Sequence, residues 1–150
     1  MSPEPLTILL AEDDDGHARL IERNLKRAGV GNRVVRARDG QEALDAVRGG
    51  GGVPAGAQLL LLLDINMPRA DGLEVLRQLK SDPRTAHIPV IMLTTTDDPR
   101  EVERCYQLGC SVYITKPVRY EAFVDALNRL GMFLEIVKLP APPAAGGPPP

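Results

Sequence analysis

Four polar clusters follow four short apolar runs along the chain. Glu12-Asp13-Asp14-Asp15 follows residues 6–11, and Asp64-Ile65-Asn66-Met67-Pro68 follows the five leucines at 59–63. Thr94-Thr95-Thr96 closes the run that begins at residue 90, and Thr115-Lys116-Pro117 closes the run at 111–115. Carboxylates packed together raise one another's pKa unless a cation neutralises them. With a backbone carbonyl and water they suit a hard divalent ion such as Mg2+. A hydroxyl and an ammonium beside them bind phosphoryl oxygens. Together these groups suit one reaction, the acceptance of a phosphoryl group by an aspartate next to Mg2+. The ion shields the attacking carboxylate from an anionic donor, and Lys116 balances the charge gained.

These clusters meet only if the runs before them lie side by side and point the same way. Runs at 6–11, 33–38, 59–63, 90–94 and 111–115 read as strands. Stretches such as ILLA, LLLLL and VIML barely alternate with polar residues, which suits parallel strands buried on both faces. Helical spacing fills the intervals: Ile21, Leu25 and Ala28; Ala43, Ala46 and Val47; Leu73, Leu76 and Leu79; Val102, Cys105 and Leu108. Asp39 and Glu42 have capping-box spacing, Asp71 stands where it can cap the third helix, and Gly29 and Gly109 suit helix ends. Five strands alternating with five helices argue for an α/β doubly wound sheet. In such sheets chemistry collects at the carboxyl ends of the strands, near a topological switch point.

Composition narrows the partners. The 150 residues are 43% hydrophobic and 25% charged with a formal net charge of −2, which leaves room for one domain and no basic footprint for nucleic acid. Trp is absent and Phe and Tyr are few, so Leu, Ile, Val and Ala must build the core. No apolar run approaches the ~20 residues of a membrane helix, and the opening MSPEPLTILLAEDD lacks the basic start of a signal peptide. Cys105 and Cys110 lack the partners of a metal or disulfide framework and read as small buried apolar residues, which places the chain in the cytoplasm. The glycine-rich stretch 49–57 reads as a flexible connection. The Pro/Gly/Ala-rich residues 139–150 read as a disordered or polyproline-like tail, so the domain is expected over residues 1–138.

The ordered set of acidic pair, Asp-x-Asn-Met-Pro, Thr and Lys-Pro resembles the receiver domain of bacterial two-component response regulators, over residues 6 to about 130. The resemblance implies a flavodoxin-like five-stranded parallel sheet in the order 2-1-3-4-5 with five helices. It implies that Asp64 is the phosphoacceptor and that Glu12 and Asp13 hold Mg2+ with Asp64 and the backbone carbonyl of Asn66. Thr94 matches the hydroxyl that moves onto the phosphoryl group, Lys116 the lysine that pairs with it, and Tyr113 the aromatic switch that follows Thr94. The Lys116–Pro117 bond is expected to be cis, and Thr96 and Asn66 to set the phosphoryl lifetime. Asp14 and Asp15 fall outside the family's acidic pair and read as solvated loop residues. Such a domain is no enzyme in the ordinary sense; it catalyses only its own phosphorylation and dephosphorylation.

Nothing of domain size follows these motifs, so the output is expected to pass through a surface. Phe123, Leu127, Leu130, Leu134 and Val137 follow one helical seam, while Met132, Phe133 and Ile136 lie off it and suggest a partner or self-association face. The segments EDDDGHARLIERNLKRAG, SDPRTAHIPVIMLTTTDD, KPV at 116–118 and LNRLGMFLEIVKLP are similar to single-domain regulators paired with bacterial phytochromes. That similarity implies a light-sensing histidine kinase as phosphodonor and a homodimer through the fourth and fifth helices. Asp15-Gly16 and the long glycine-rich loop depart from that pattern. A haloacid-dehalogenase-type phosphohydrolase would also use Asp, Thr, Lys and Mg2+. Its nucleophile, however, sits after the first strand in a DxD pair beneath a lid, whereas here the candidate follows the third strand with Asn66 two residues on. A phosphate-independent pseudo-receiver would lack the acceptor, the metal pair or the lysine, and all are present.

Overall fold

The computed structural model describes residues 6–50, 52–54, 57–69, 71–95 and 98–131. Strands and helices alternate strictly: β1 (Thr7–Ala11), α1 (Asp15–Arg27), β2 (Val34–Ala37), α2 (Gly40–Val47), β3 (Leu59–Asp64), α3 (Gly72–Ser81), β4 (Val90–Thr94), α4 (Pro99–Gln107), β5 (Val112–Thr115) and α5 (Tyr120–Leu130). The strands form one parallel sheet in the order β2-β1-β3-β4-β5. This is the flavodoxin-like receiver fold. Every residue of β1, β3 and β4 is buried, as continuous apolar runs in a sheet covered on both faces require. The edge strands β2 and β5 are shorter and partly exposed.

The two-residue period of the strands sorts the core into two layers. Ile8, Leu10, Leu60, Leu62, Ile91, Leu93, Val112 and Ile114 face α1 and α5, where they meet Ile21, Leu25, Phe123 and Leu127. Leu9, Leu61, Leu63, Val90 and Met92 face the other way, toward Leu44, Leu76, Leu79 and Cys105 of α2, α3 and α4. Leu44 and Val75 are buried beside the expected stripes of α2 and α3, whereas Val47 and Leu73 are only half-buried. In α4 only Cys105 is buried, because the segment PREVERCYQ carries too few apolar residues to cover a wide face. Burial pushes the free thiols of Cys105 and Cys110 up to about 11 and about 12, so both remain protonated packing groups.

Local signals set the helix limits. Asp14, Asp39 and Asp71 each accept a hydrogen bond from a backbone N–H three residues on, and Pro99 opens α4 behind its Asp98 cap. The Glu42 carboxylate returns to the N–H of Arg38, one residue before the cap itself. Gly29 and Gly109 follow α1 and α4 with φ of 90° and 104°, the left-handed turn that glycine adopts without strain. α5 ends at Leu130, where Gly131 turns left-handed at φ 66°, and Phe123 and Leu127 of the expected seam are buried. Met132, Phe133, Leu134, Ile136 and Val137 lie outside the described residues, as does the 139–150 tail. Among the described residues no helix is long and apolar enough to cross a membrane.

One polar tie joins the two helices of the first layer. The buried Asn24 of α1 donates its amide to the carbonyl oxygen of Val118, in the segment that leads from β5 into α5. A buried carbonyl needs such a donor. Asn24 thereby fixes the short stretch 116–118 against α1.

Candidate functional site

The strand order reverses between β1 and β3: the chain leaves β1 for β2 on one side and later returns to β3 on the other. Ala11 pairs with Leu63, so Glu12 emerges beside Asp64 at the carboxyl ends of these neighbours. Carboxylate oxygens of Glu12, Asp13 and Asp64 all lie within 4.8 Å of one another. Glu12 is 0% exposed and Asp64 is buried, while Asp13 is exposed. The Lys116 ammonium bridges the two buried acids, 2.5 Å from Glu12 Oε1 and 3.1 Å from Asp64 Oδ2, and stands 3.2 Å from His17 Nδ1. Burial raises the Glu12 carboxyl above its ordinary pKa of 4.5. The Lys116 hydrogen bond opposes that rise and the neighbouring Asp64 charge adds to it.

Three carboxylates against one ammonium leave two negative charges, and the donors are all oxygens. That set fits a hard divalent cation and offers nothing to a thiophilic one. Glu12, Asp13 and Asp64 are the side chains placed to hold such an ion. Asn66 is exposed and its N–H donates to Asp64 Oδ1 over 3.3 Å, which brings the Asn66 peptide to the same rim.

Side-chain parity separates two groups at this rim. Glu12, Asp64 and Lys116 share the parity of the α1–α5 layer. Thr94, fully buried, and Tyr113, packed against the second core, share that of the α2–α4 layer. The Lys116 N–H donates to the Thr94 carbonyl over 2.6 Å, tying the two groups through the backbone. The Lys116–Pro117 peptide is cis. Thr96 lies outside the described residues. A groove of about 190 Å3 opens beside Lys116, lined by His17, Leu20, Ile21, Thr95, Pro117 and Val118.

Several residues at the site were not singled out from sequence. A Cβ on Gly72 would stand 2.3 Å from the Asp64 carbonyl oxygen and 2.7 Å from Ile65 Cα, so only glycine lets α3 start against the backbone of the acceptor. The Gly72 N–H also donates to the Ile65 carbonyl over 2.7 Å. Arg69, left-handed at φ 71°, places its guanidinium 3.4 Å from the Asp39 carboxylate, linking the loop after β3 to the start of α2. Asp14 and Asp15 are exposed as expected, yet neither is idle. Asp14 caps α1, and Asp15 pairs with Arg36 and Arg38 at 2.7 and 3.3 Å. The Asp71-Gly72 pair was legible as a helix start, but contact with Asp64 depends on tertiary closure that no local pattern encodes.

The response regulator receiver domain matches residues 8–128 of the chain. The chain belongs to this family. Response regulator Rcp1 of Synechocystis sp. is 34% identical over 142 residues, which cover 93% of this receiver and 97% of the relative. The Mn2+-bound structure of Rcp1 superposes with a TM-score of 0.70 at 33% identity, over 93% of this receiver and all of that chain. The bacteriophytochrome response regulator AtBRR gives a TM-score of 0.80 at 38% identity, covering 91% of this chain and 100% of its own. The phosphorylated cyanobacterial phytochrome response regulator RcpA gives 0.72 at 35% identity, covering 93% and 100%.

Two outcomes follow from this geometry. Gly72→Ala forces backbone apart at the acceptor and should lower stability by about 1–3 kcal/mol in urea unfolding; an unchanged midpoint would contradict the close contact. Glu12 binds its proton more tightly folded than unfolded. Its stabilising contribution is therefore complete below the ordinary carboxylate range and is lost as pH rises through its raised pKa. The Glu12→Gln variant lacks that loss, so its stability relative to wild type should increase as pH rises across that window. A Glu12→Gln stability that falls relative to wild type as pH rises would contradict the raised pKa.

Proposed function

We propose that this receiver accepts a phosphoryl group from the phosphohistidine of a sensor histidine kinase onto Asp64, with Mg2+ at the acidic cluster. The bridge from Lys116 to Glu12 and Asp64, with Asp13 in reach, carries the reading. A carboxylate oxygen of Asp64 forms a bond to phosphorus as the P–N bond breaks. The imidazole leaves with the bonding pair and takes up a proton from water. Glu12, Asp13, Asp64 and the Asn66 carbonyl hold the ion, which when bound supplies shielding of negative charge between donor and acceptor. Lys116 stays at the rim to pair with the new phosphoryl oxygens. The groove beside Lys116 leaves that rim open to a donor.

Thr94 and Tyr113 transmit the event in this reading. Thr94 ends β4 beside Thr115 of β5, so a hydroxyl drawn toward Asp64 alters packing next to Tyr113, on the α4 side of the sheet. The surface near these last two helices is the output face and the site of homodimerisation. Similarity to the bacteriophytochrome response regulator AtBRR and the phytochrome response regulator RcpA supports a phytochrome-linked kinase as the donor class, and Mn2+ in Rcp1 supports the divalent site. Donor and receiver meet in the cytoplasm, and the receiver transforms no substrate but itself.

Incubation with acetyl phosphate and Mg2+ should add one phosphate, detectable by intact mass. Asp64→Asn, or chelation of the divalent ion, should abolish it. Labelling that survives in Asp64→Asn overturns the assignment of the acceptor. Sedimentation should show a concentration-dependent dimer in the presence of acetyl phosphate; a monomer at all concentrations overturns the proposed homodimer.

A further inference from the structure

Arg36 occupies the edge strand β2, where an arginine would ordinarily extend into water. It pairs in register with Leu10, two residues before Glu12, and its side chain is only 20% exposed. The guanidinium turns over the rim of the sheet. Its Nε and Nη2 both donate to the Glu12 carbonyl oxygen, over 3.1 and 2.9 Å, and its Nη1 donates to Asp15 Oδ1 over 2.7 Å. Residues 12–14 are all that separates β1 from α1. One planar group therefore grips the first residue of this connection and the first residue of the helix after it.

Asp13 lies between these two grips. Its carboxylate is exposed and has no hydrogen bond among the described residues, so the loop backbone is what sets the point from which it reaches toward Glu12 and Asp64. We infer that Arg36 is a positioning residue for the divalent site: it locks the β1–α1 connection so that Asp13 stands beside Glu12 and Asp64. The inference rests on the metal reading above. The charge of Arg36 is matched by the Asp15 carboxylate, 2.7 Å from its Nη1. The role is thus one of geometry. Groups behind the ligands of a metal site that fix their orientation contribute about 10–100-fold to affinity when they are removed.

Charge and geometry predict opposite signs, which makes the role testable. Removing a cation near a cation site should tighten binding if only charge matters, whereas losing the grip should weaken it. Calorimetric titration of the full chain with Mg2+ should give Arg36→Gln a dissociation constant at least about tenfold above wild type. Arg36→Lys, with one ammonium unable to span both oxygens, should fall between the two. Arg38→Gln removes a charge from the same Asp15 without touching Glu12 and should bind like wild type. Uptake of phosphate from acetyl phosphate should return to the wild-type level in Arg36→Gln at saturating Mg2+. Equal or tighter binding by folded Arg36→Gln and Arg36→Lys overturns the inference alone. Absence of Mg2+ binding by wild type overturns the metal reading and this inference with it.

Discussion

Like charges that converge in a buried place must be held there by opposite charge, and the Lys116 ammonium does this at the head of the sheet. Glu12 and Asp64 are both buried, close enough for one Nζ to bind both, and without it two buried carboxylates would face each other with no counter-charge between them. Lys116 leaves β5, which is separated from β3 by the whole width of β4. Neighbouring strands lie about 4.8 Å apart, so the side chain reaches Asp64 only by crossing the end of β4. Its backbone N–H is anchored on the Thr94 carbonyl, which starts that crossing from a fixed point. The strand order, the buried lengths of β1, β3 and β4, and the tie from Asn24 to Val118 all serve to keep these ends in register.

The alternation of side chains adds a second constraint. Acceptor, acid and lysine belong to the α1–α5 layer, whereas Thr94 and Tyr113 belong to the layer of α2, α3 and α4. A change in charge at Asp64 therefore has to pass around the ends of strands rather than through the sheet, whose central residues are packed without space to move. The strand ends are the part of the sheet where both layers meet. That places any response at the loops after β4 and β5, next to the starts of α4 and α5.

The apolar runs announced the strands because burial on both faces leaves a parallel strand no polar positions, as Leu59–Asp64 shows. The polar residues just past those runs announced the site for the same reason, since the chemistry had nowhere else to stand. Asp14, which caps α1, read only as a solvated acid among its neighbours, whereas Asp39 and Asp71 were readable because a cap acts within three residues. Gly72, Asn24 and Arg36 were not, because each owes its role to a partner brought close only by folding: the Asp64 backbone, Val118 and Glu12. The end of α5 was equally hard to read, because apolar spacing runs on past Leu130 while the described backbone turns left-handed at Gly131.

Glu12 is where these constraints compete. Its carboxylate serves Lys116 and, in the proposed function, a divalent ion as well, and it cannot give its full charge to both. With three carboxylates, one ammonium and one divalent ion, the charges at the rim sum to zero. An ion held there would share the charge of the Glu12 carboxylate and leave the Lys116 ammonium to Asp64, whose Oδ2 is already 3.1 Å away. A phosphoryl group added to Asp64 restores negative charge at the place where the lysine stands. In the proposed function the carboxylate that holds Lys116 would thus yield it to the atom that gains the phosphoryl group. Such an exchange needs the Glu12 backbone to stay in place, and the two N–H groups of Arg36 on its carbonyl oxygen hold it there.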